Sequence, residues 1–174
     1  MSSFSIDPYI SKTPGFPKKG ITFYDISPVL ENPVVLRKSI DLMSESTKGF
    51  QPDLIAGIDA RGFLFATPLA LELNCGTVMI RKAGKLPGKV FEETYNLEYG
   101  TACLSVQASH ALTGKRVILC DDLLATGGTL AAAAKLINRA GGILAAAVCI
   151  IELTGMKGRD KLPCDVVALQ RYEF

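Results

Sequence analysis

The chain has 174 residues, 48% of them hydrophobic, and a formal net charge of +2 at pH 7. That length predicts one domain over residues 1–174 with enough chain to bury a core, and so small a charge argues against nucleic acid or an acidic membrane as partner. One histidine, His110, and five cysteines in no CxxC pair exclude a zinc centre and a histidine-based nucleophile.

No stretch is long and apolar enough to span a bilayer, and the first twenty residues show no apolar signal core, so a cytoplasmic location is expected. In chain order, Pro14, Pro17 and Gly20 predict a loop-like N-terminal arm, followed by a short apolar–polar run from Ile21 to Ile26. Asn32 before Pro33 predicts a helix start, Asn as cap and Pro at the first helical position, with the helix running to about Lys48. Leu54 to Ile58 reads as a strand and Gly62 to Leu73 as a helix with a possible kink at Pro68. Thr77 to Arg81 is a strand, and Lys82 to Gly100 is a long polar segment rich in turn residues. Further strands are predicted at Thr101–Val106, Arg116–Cys120, Ile143–Glu152 and Val166–Leu169, with a helix over Thr129–Ala140 ended by Gly141-Gly142. Continuous apolar strands alternating with helices imply a mostly parallel sheet covered on both faces. Ligands then bind beyond the carboxyl ends of the strands.

Three segments carry chemistry. In RVILCDDLLATGGT (Arg116 to Thr129) an apolar strand stops at Asp121 and Asp122, and a small-residue loop leads into a helix. Amides at such a helix start are unpaired, the helix dipole favours an anion, and glycines allow a phosphate to approach. Two carboxylates beside a phosphate would repel it, so they suit sugar hydroxyls or a magnesium ion instead. A ribose 5-phosphate meets all these demands; capping and turning alone is the plainer alternative. Asp59-Ala60-Arg61-Gly62, directly after another apolar strand, reads either as a βα turn or as a second anion nest. Arg81 to Lys89 is a basic loop. It is either solvated or, beside two anion sites, set to stabilise charge on a departing group; without interleaved aromatics the case for RNA is thin.

These segments together resemble the type I phosphoribosyltransferases, and most closely their adenine enzymes. The resemblance rests on DDLLATGGT together with FPKKGITFYDISPVL (Phe16 to Leu30), DARGFLFA (Asp59 to Ala66), IRKAGKLPGKV with YNLEYG (Ile80 to Gly100) and ELTGMKGRDKL (Glu152 to Leu162). It implies an α/β fold of the type I phosphoribosyltransferase kind, a mostly parallel sheet flanked by helices, with a flexible hood loop. It implies purine salvage: transfer of the phosphoribosyl group from phosphoribosyl diphosphate (PRPP) to adenine, giving AMP and diphosphate. Mg²⁺ would enter mainly through PRPP, with no dedicated protein cage.

By the same resemblance, Ala125, Thr126, Gly127, Gly128 and Thr129 cradle the 5-phosphate, and Asp121 and Asp122 hold the ribose. Asp59, Ala60 and Arg61 grip the diphosphate through a loop with a cis peptide at Asp59–Ala60, aided by Lys82 and Lys85. Arg81 reaches the neighbouring site of a homodimer. The Lys82–Gly100 segment is a hood that excludes water, and its Glu98 is a general acid near adenine N7, although by composition Glu98 also reads as a surface glutamate. Adenine meets the Thr22 carbonyl and the Tyr24 amide and lies between Phe23 and Leu123; periodicity alone reads Phe23 equally as core. The family's basic side chain at the Tyr24 position is absent. Glu98, Asp121, Asp122 and Arg61 form the implied catalytic set. A phosphoribosyltransferase for a 6-oxo purine and a non-catalytic regulator on the same fold are the alternatives.

Overall fold

The computed structural model describes residues 4–97, 100–108 and 112–173. Its elements in chain order are β1 (Ser11–Pro14), β2 (Thr22–Asp25), α1 (Ser27–Glu31), α2 (Pro33–Thr47), β3 (Leu54–Ile58), α3 (Gly62–Glu72) and β4 (Gly76–Lys82). They continue with β5 (Val90–Leu97), β6 (Gly100–Gln107), β7 (Arg116–Leu124), α4 (Gly128–Arg139), β8 (Ile143–Leu153) and β9 (Asp165–Tyr172). Among the described residues the main sheet has seven strands in the order β5-β6-β4-β3-β7-β8-β9. The five strands from β4 to β9 pair in parallel, while β5 and β6 add an antiparallel edge.

Alternation along the strands sorts the core onto two faces. Ile55, Ile118, Cys120 and Val148 pack with Phe65, Leu69, Ile40 and Met43 of α3 and α2. Ala56, Ile58, Val117, Leu119 and Cys149 pack with Leu130, Ala133, Leu136 and Ile137 of α4. Helix α2 starts where expected: the Asn32 carboxamide accepts from the Val34 and Val35 amides at 3.1 and 3.2 Å, ahead of Pro33. Pro68 lies inside α3 without ending it. The connection after β3 runs through α3 to β4 on one side, and that after β7 through α4 to β8 on the other. The β3/β7 boundary is therefore a topological switch point, where carboxyl-end loops part and leave a crevice.

Three segments depart from expectation. The N-terminal arm is not simply a loop, because β1 and β2 form a two-stranded antiparallel sheet. The acidic pair does not follow its strand but lies within it, since β7 continues pairing with β8 as far as Leu124↔Glu152. The long polar segment is half strand: β5 pairs with β6 from Val90↔Gln107 to Leu97↔Gly100. Its inward positions alternate as Phe91, Glu93 and Tyr95. A charge at the middle inward position hides the period of two that would have marked a strand.

Candidate active site

Asp59 follows β3, and the peptide joining it to Ala60 is cis, as the resemblance implied. Gly62 opens α3 tight against β7: a Cβ there would stand 2.5 Å from the Cys120 carbonyl oxygen and 3.2 Å from Asp121 Oδ1. Only glycine lets the start of α3 and strand β7 meet so closely. Their meeting brings Arg61 Nε to 2.8 Å from Asp122 Oδ2. Asp122 is 4% exposed, yet Oδ2 receives no aligned hydrogen bond, the one such buried side-chain oxygen or nitrogen among the described residues. Oδ1 of Asp121 accepts from the Asp122 amide at 2.9 Å.

Burial pushes both carboxyls above the ordinary range. Asp121 rises furthest because the Asp122 charge stands against it, while Arg61 offsets part of the rise at Asp122. A ligand that donates hydroxyl protons to this pair, or brings a cation to it, would relieve both.

Past Leu124 the chain turns through Gly127, whose φ of +78° is one that glycine adopts freely. Helix α4 begins at Gly128, and its first internal hydrogen bond runs from the Ala131 amide to the Gly127 carbonyl. The amides of Gly128, Thr129 and Leu130 are left without partners inside the helix, and these residues line a cavity of about 460 Å³. Its walls hold Asp59, Ala60, Arg61 and Lys82, the acidic pair, and Ala125 to Leu130. Tyr95 of β5 completes it, with Thr129 Oγ1 donating to the Tyr95 hydroxyl at 3.2 Å. The edge strand is tied to α4 by Lys135 and Arg139, which reach Glu93 at 3.0 and 3.3 Å.

A second cavity, of about 510 Å³, opens beside the first. It is lined by Ile21 to Tyr24, Leu153 and Met156, and it shares Arg61, Leu123, Ala125 and Thr126 with its neighbour. The Ile21 carbonyl accepts from the Gly15 amide on the β1 side. Backbone groups alternate along a strand, so the Thr22 carbonyl and Tyr24 amide face the opposite edge. The Tyr24 ring turns into the core and stacks on Tyr172 at 4.6 Å. Tyr172 in turn donates to Asp7, which also pairs with Lys12. Phe23 packs edge-on against Phe16 at 5.4 Å, with the Arg61 guanidinium 6.0 Å above its ring.

Most residues expected at a site converge on these two cavities. Arg81 and Lys85 do not line them: Arg81 Nε lies 3.1 Å from Asp59 Oδ2, and the guanidinium donates to the Lys85 carbonyl at 3.3 Å. Glu98 lies outside the described residues. Tyr95, Leu153 and Met156 carried no assigned role in the sequence reading. Leu153 and Met156 belong to the Glu152–Leu162 segment, which was legible there as a resemblance but not as a wall. Cys120 and Cys149 are buried and burial raises their thiols, which suits small core hydrophobes.

No group of three or more His, Cys, Asp or Glu capable of holding a metal occurs among the described residues. Two adjacent carboxylates, one of them already paired with Arg61, fit a divalent cation only as part of a larger oxygen set brought by a ligand.

The sequence profile of the phosphoribosyl transferase domain family matches residues 25–170. The adenine phosphoribosyltransferase of Thermobifida fusca is 48% identical over 157 residues, 90% of this chain and 89% of that protein. The crystal structure of adenine phosphoribosyltransferase from Thermoanaerobacter pseudethanolicus superposes with a TM-score of 0.92 at 45% identity, covering 96% of this chain and 98% of that one. The Saccharomyces cerevisiae enzyme, complexed with an imino-altritol bisphosphate and adenine, gives 0.89 at 39% identity over 94% and 96% of the two chains.

Proposed function

The chain belongs to the phosphoribosyl transferase family, and from that premise we propose how its two joined clefts work as one site. The reaction is transfer of the phosphoribosyl group from PRPP to adenine, giving AMP and diphosphate, a purine-salvage step. One observation carries the assignment of parts: the clefts share Arg61, Leu123, Ala125 and Thr126, so a ligand anchored in one presents its reactive carbon to the other.

The amides and hydroxyls of Ala125 to Thr129 take the 5-phosphate, as a helix start does. Asp121 and Asp122 accept from the ribose hydroxyls, which gives Asp122 Oδ2, held by the Arg61 ion pair but without an aligned hydrogen bond, a donor. Asp59, Ala60 and Arg61 face the diphosphate, with Lys82 and Lys85 adding positive charge where the leaving group gathers negative charge. PRPP arrives as its magnesium complex; the metal belongs to the substrate and offsets the diphosphate charge. Adenine lies between Phe23 and Leu123, its exocyclic amine on the Thr22 carbonyl and N1 on the Tyr24 amide. Both contacts are backbone, so the Tyr24 side chain is free to pack in the core. A 6-oxo purine reverses both demands and leaves buried groups unpaired.

The C1–diphosphate bond loosens and N9 attacks from the opposite face, so no covalent enzyme intermediate is needed. Glu98 is the proposed proton partner at N7. β5, as part of the hood, stands over the phosphate loop and excludes water from the ribosyl centre.

The working unit is a homodimer in which Arg81, outside its own cleft's lining, serves the neighbouring diphosphate. Helix α3 supports this. It is apolar all round, yet Leu64 and Leu71 stand 48% and 76% exposed, whereas such a helix is normally covered. Five free cysteines suit a reducing, cytoplasmic setting.

Steady-state assays with PRPP and adenine, hypoxanthine, guanine and xanthine test the assignment. Turnover is expected with adenine; preference for a 6-oxo purine overturns the base pocket.

A further inference from the structure

Glu152 is 2% exposed on β8, directly across the register from Leu124, the last residue before the phosphate loop. Its two oxygens meet Arg159 Nε and Nη2 at 2.7 and 2.6 Å, and Arg171 Nε stands 3.1 Å away. Two parallel charge-assisted hydrogen bonds fix the guanidinium plane, and so the backbone that carries it. Next to Arg159 is Gly158, buried at the start of a 3-10 turn. A Cβ on Gly158 would lie 2.1 Å from the Ala125 carbonyl oxygen and 2.9 Å from the Gly127 nitrogen. One on Gly127 would lie 2.3 Å from the Gly158 carbonyl oxygen. The closest approach is backbone on backbone, with Leu124 Cδ1 beside it at 2.8 Å from the same Gly158 position.

We propose that Glu152 and Arg159 are positioning residues for the 5-phosphate: their fork presses Gly158 against Ala125–Gly127 and sets the direction of the amides that follow. Neither side chain lines either cleft; they act through Gly158. The proposal rests on the assignment of Ala125 to Thr129 to the phosphate. Amides preorganised on an anion lose their effect when displaced by a fraction of an ångström. Loosening the fork therefore falls on phosphate binding rather than on the base or the chemical step.

The test compares wild type with Glu152→Gln, Arg159→Lys and Gly158→Ala, by steady-state kinetics and by calorimetry with ribose 5-phosphate. Each variant is expected to raise KM for PRPP and Kd for ribose 5-phosphate about tenfold or more. KM for adenine, and kcat at saturating PRPP, are expected to move less than about threefold. Gly158→Ala keeps both charged side chains and reaches the loop directly, so agreement among the variants places the effect at that contact. A fork that merely holds the fold together would lower Tm and kcat with KM for PRPP unchanged, which overturns the proposal. If Glu152→Gln does not fold, unchanged PRPP constants in the other two overturn it equally. Wild type that forms no AMP would instead sink the assignment beneath it.

Discussion

The ribose-binding role proposed for Asp121 sets function against stability in one side chain. An Asp carboxyl ordinarily ionises near 3.8, and in this fold burial and the Asp122 charge hold it well above that. Between the two values the folded chain keeps a proton that the unfolded chain has released, so stability falls as pH rises through the window. Asparagine carries no such penalty. Asp121→Asn is expected to be more stable than wild type in urea unfolding near neutral pH, with the advantage gone at about pH 3. On its proposed role as a charged acceptor for ribose, the same change is expected to weaken PRPP binding about tenfold or more. A variant less stable than wild type at neutral pH would contradict the burial argument. Gly127 is constrained twice, by a φ of +78° and by the Gly158 carbonyl. Gly127→Ala is expected to lose about 1–3 kcal/mol in the same experiment and to raise KM for PRPP.

At the scale of elements, the edge strand β5 is the part most dependent on a few polar ties. Phe91 and Tyr95 are only partly buried against α4, and Glu93 between them holds Lys135 and Arg139. Both cations are more than half exposed, so the pairs together contribute no more than about 1 kcal/mol after screening. Their effect is local. Glu93→Ala is expected to speed amide hydrogen exchange in residues 90–97, while β3, β7 and α4 keep their protection. Uniform acceleration across the sheet would mean that β5 is part of the global unfolding unit. The element was hard to read for the same reason: an inward glutamate breaks the alternation that marks a strand. Helix α2 was easy, because Asn32 and Pro33 are local signals that need no partner.

At the scale of the whole molecule, α3 links the Asp59–Arg61 loop at its start to an exposed apolar face along its length. Leu64 and Leu71 lie two turns apart on that face, beside a groove shared with α2 and bridged by Arg37 and Glu72 at 3.0 Å. Leu71→Glu is expected to shift sedimentation from dimer toward monomer with little change in thermal stability of the subunit. On the proposed role of Arg81 at the neighbouring site, activity is expected to fall with dissociation. A wild-type chain that sediments as a monomer at micromolar concentration while fully active would remove the dimer from the mechanism. Among the described residues no helix is long and apolar enough to cross a membrane.

Much of the fold was legible in the chain because its signals are local: apolar runs of strand length, an Asn-Pro cap, and glycines where loops must turn. The Ala125–Thr129 and Asp59–Gly62 turns were legible for the same reason, since a strand-to-helix turn is written in consecutive residues; both line the first cavity. Tertiary structure alone decided what depends on distant residues meeting. It put Arg61 on Asp122, turned the Tyr24 ring onto Tyr172, and laid β5 along β6. It also drove the Gly158 backbone against Gly127 under the grip of Glu152 on Arg159. Each of those contacts joins groups whose separation in sequence carries no period or spacing, so only the packing of the sheet and its helices could bring them together.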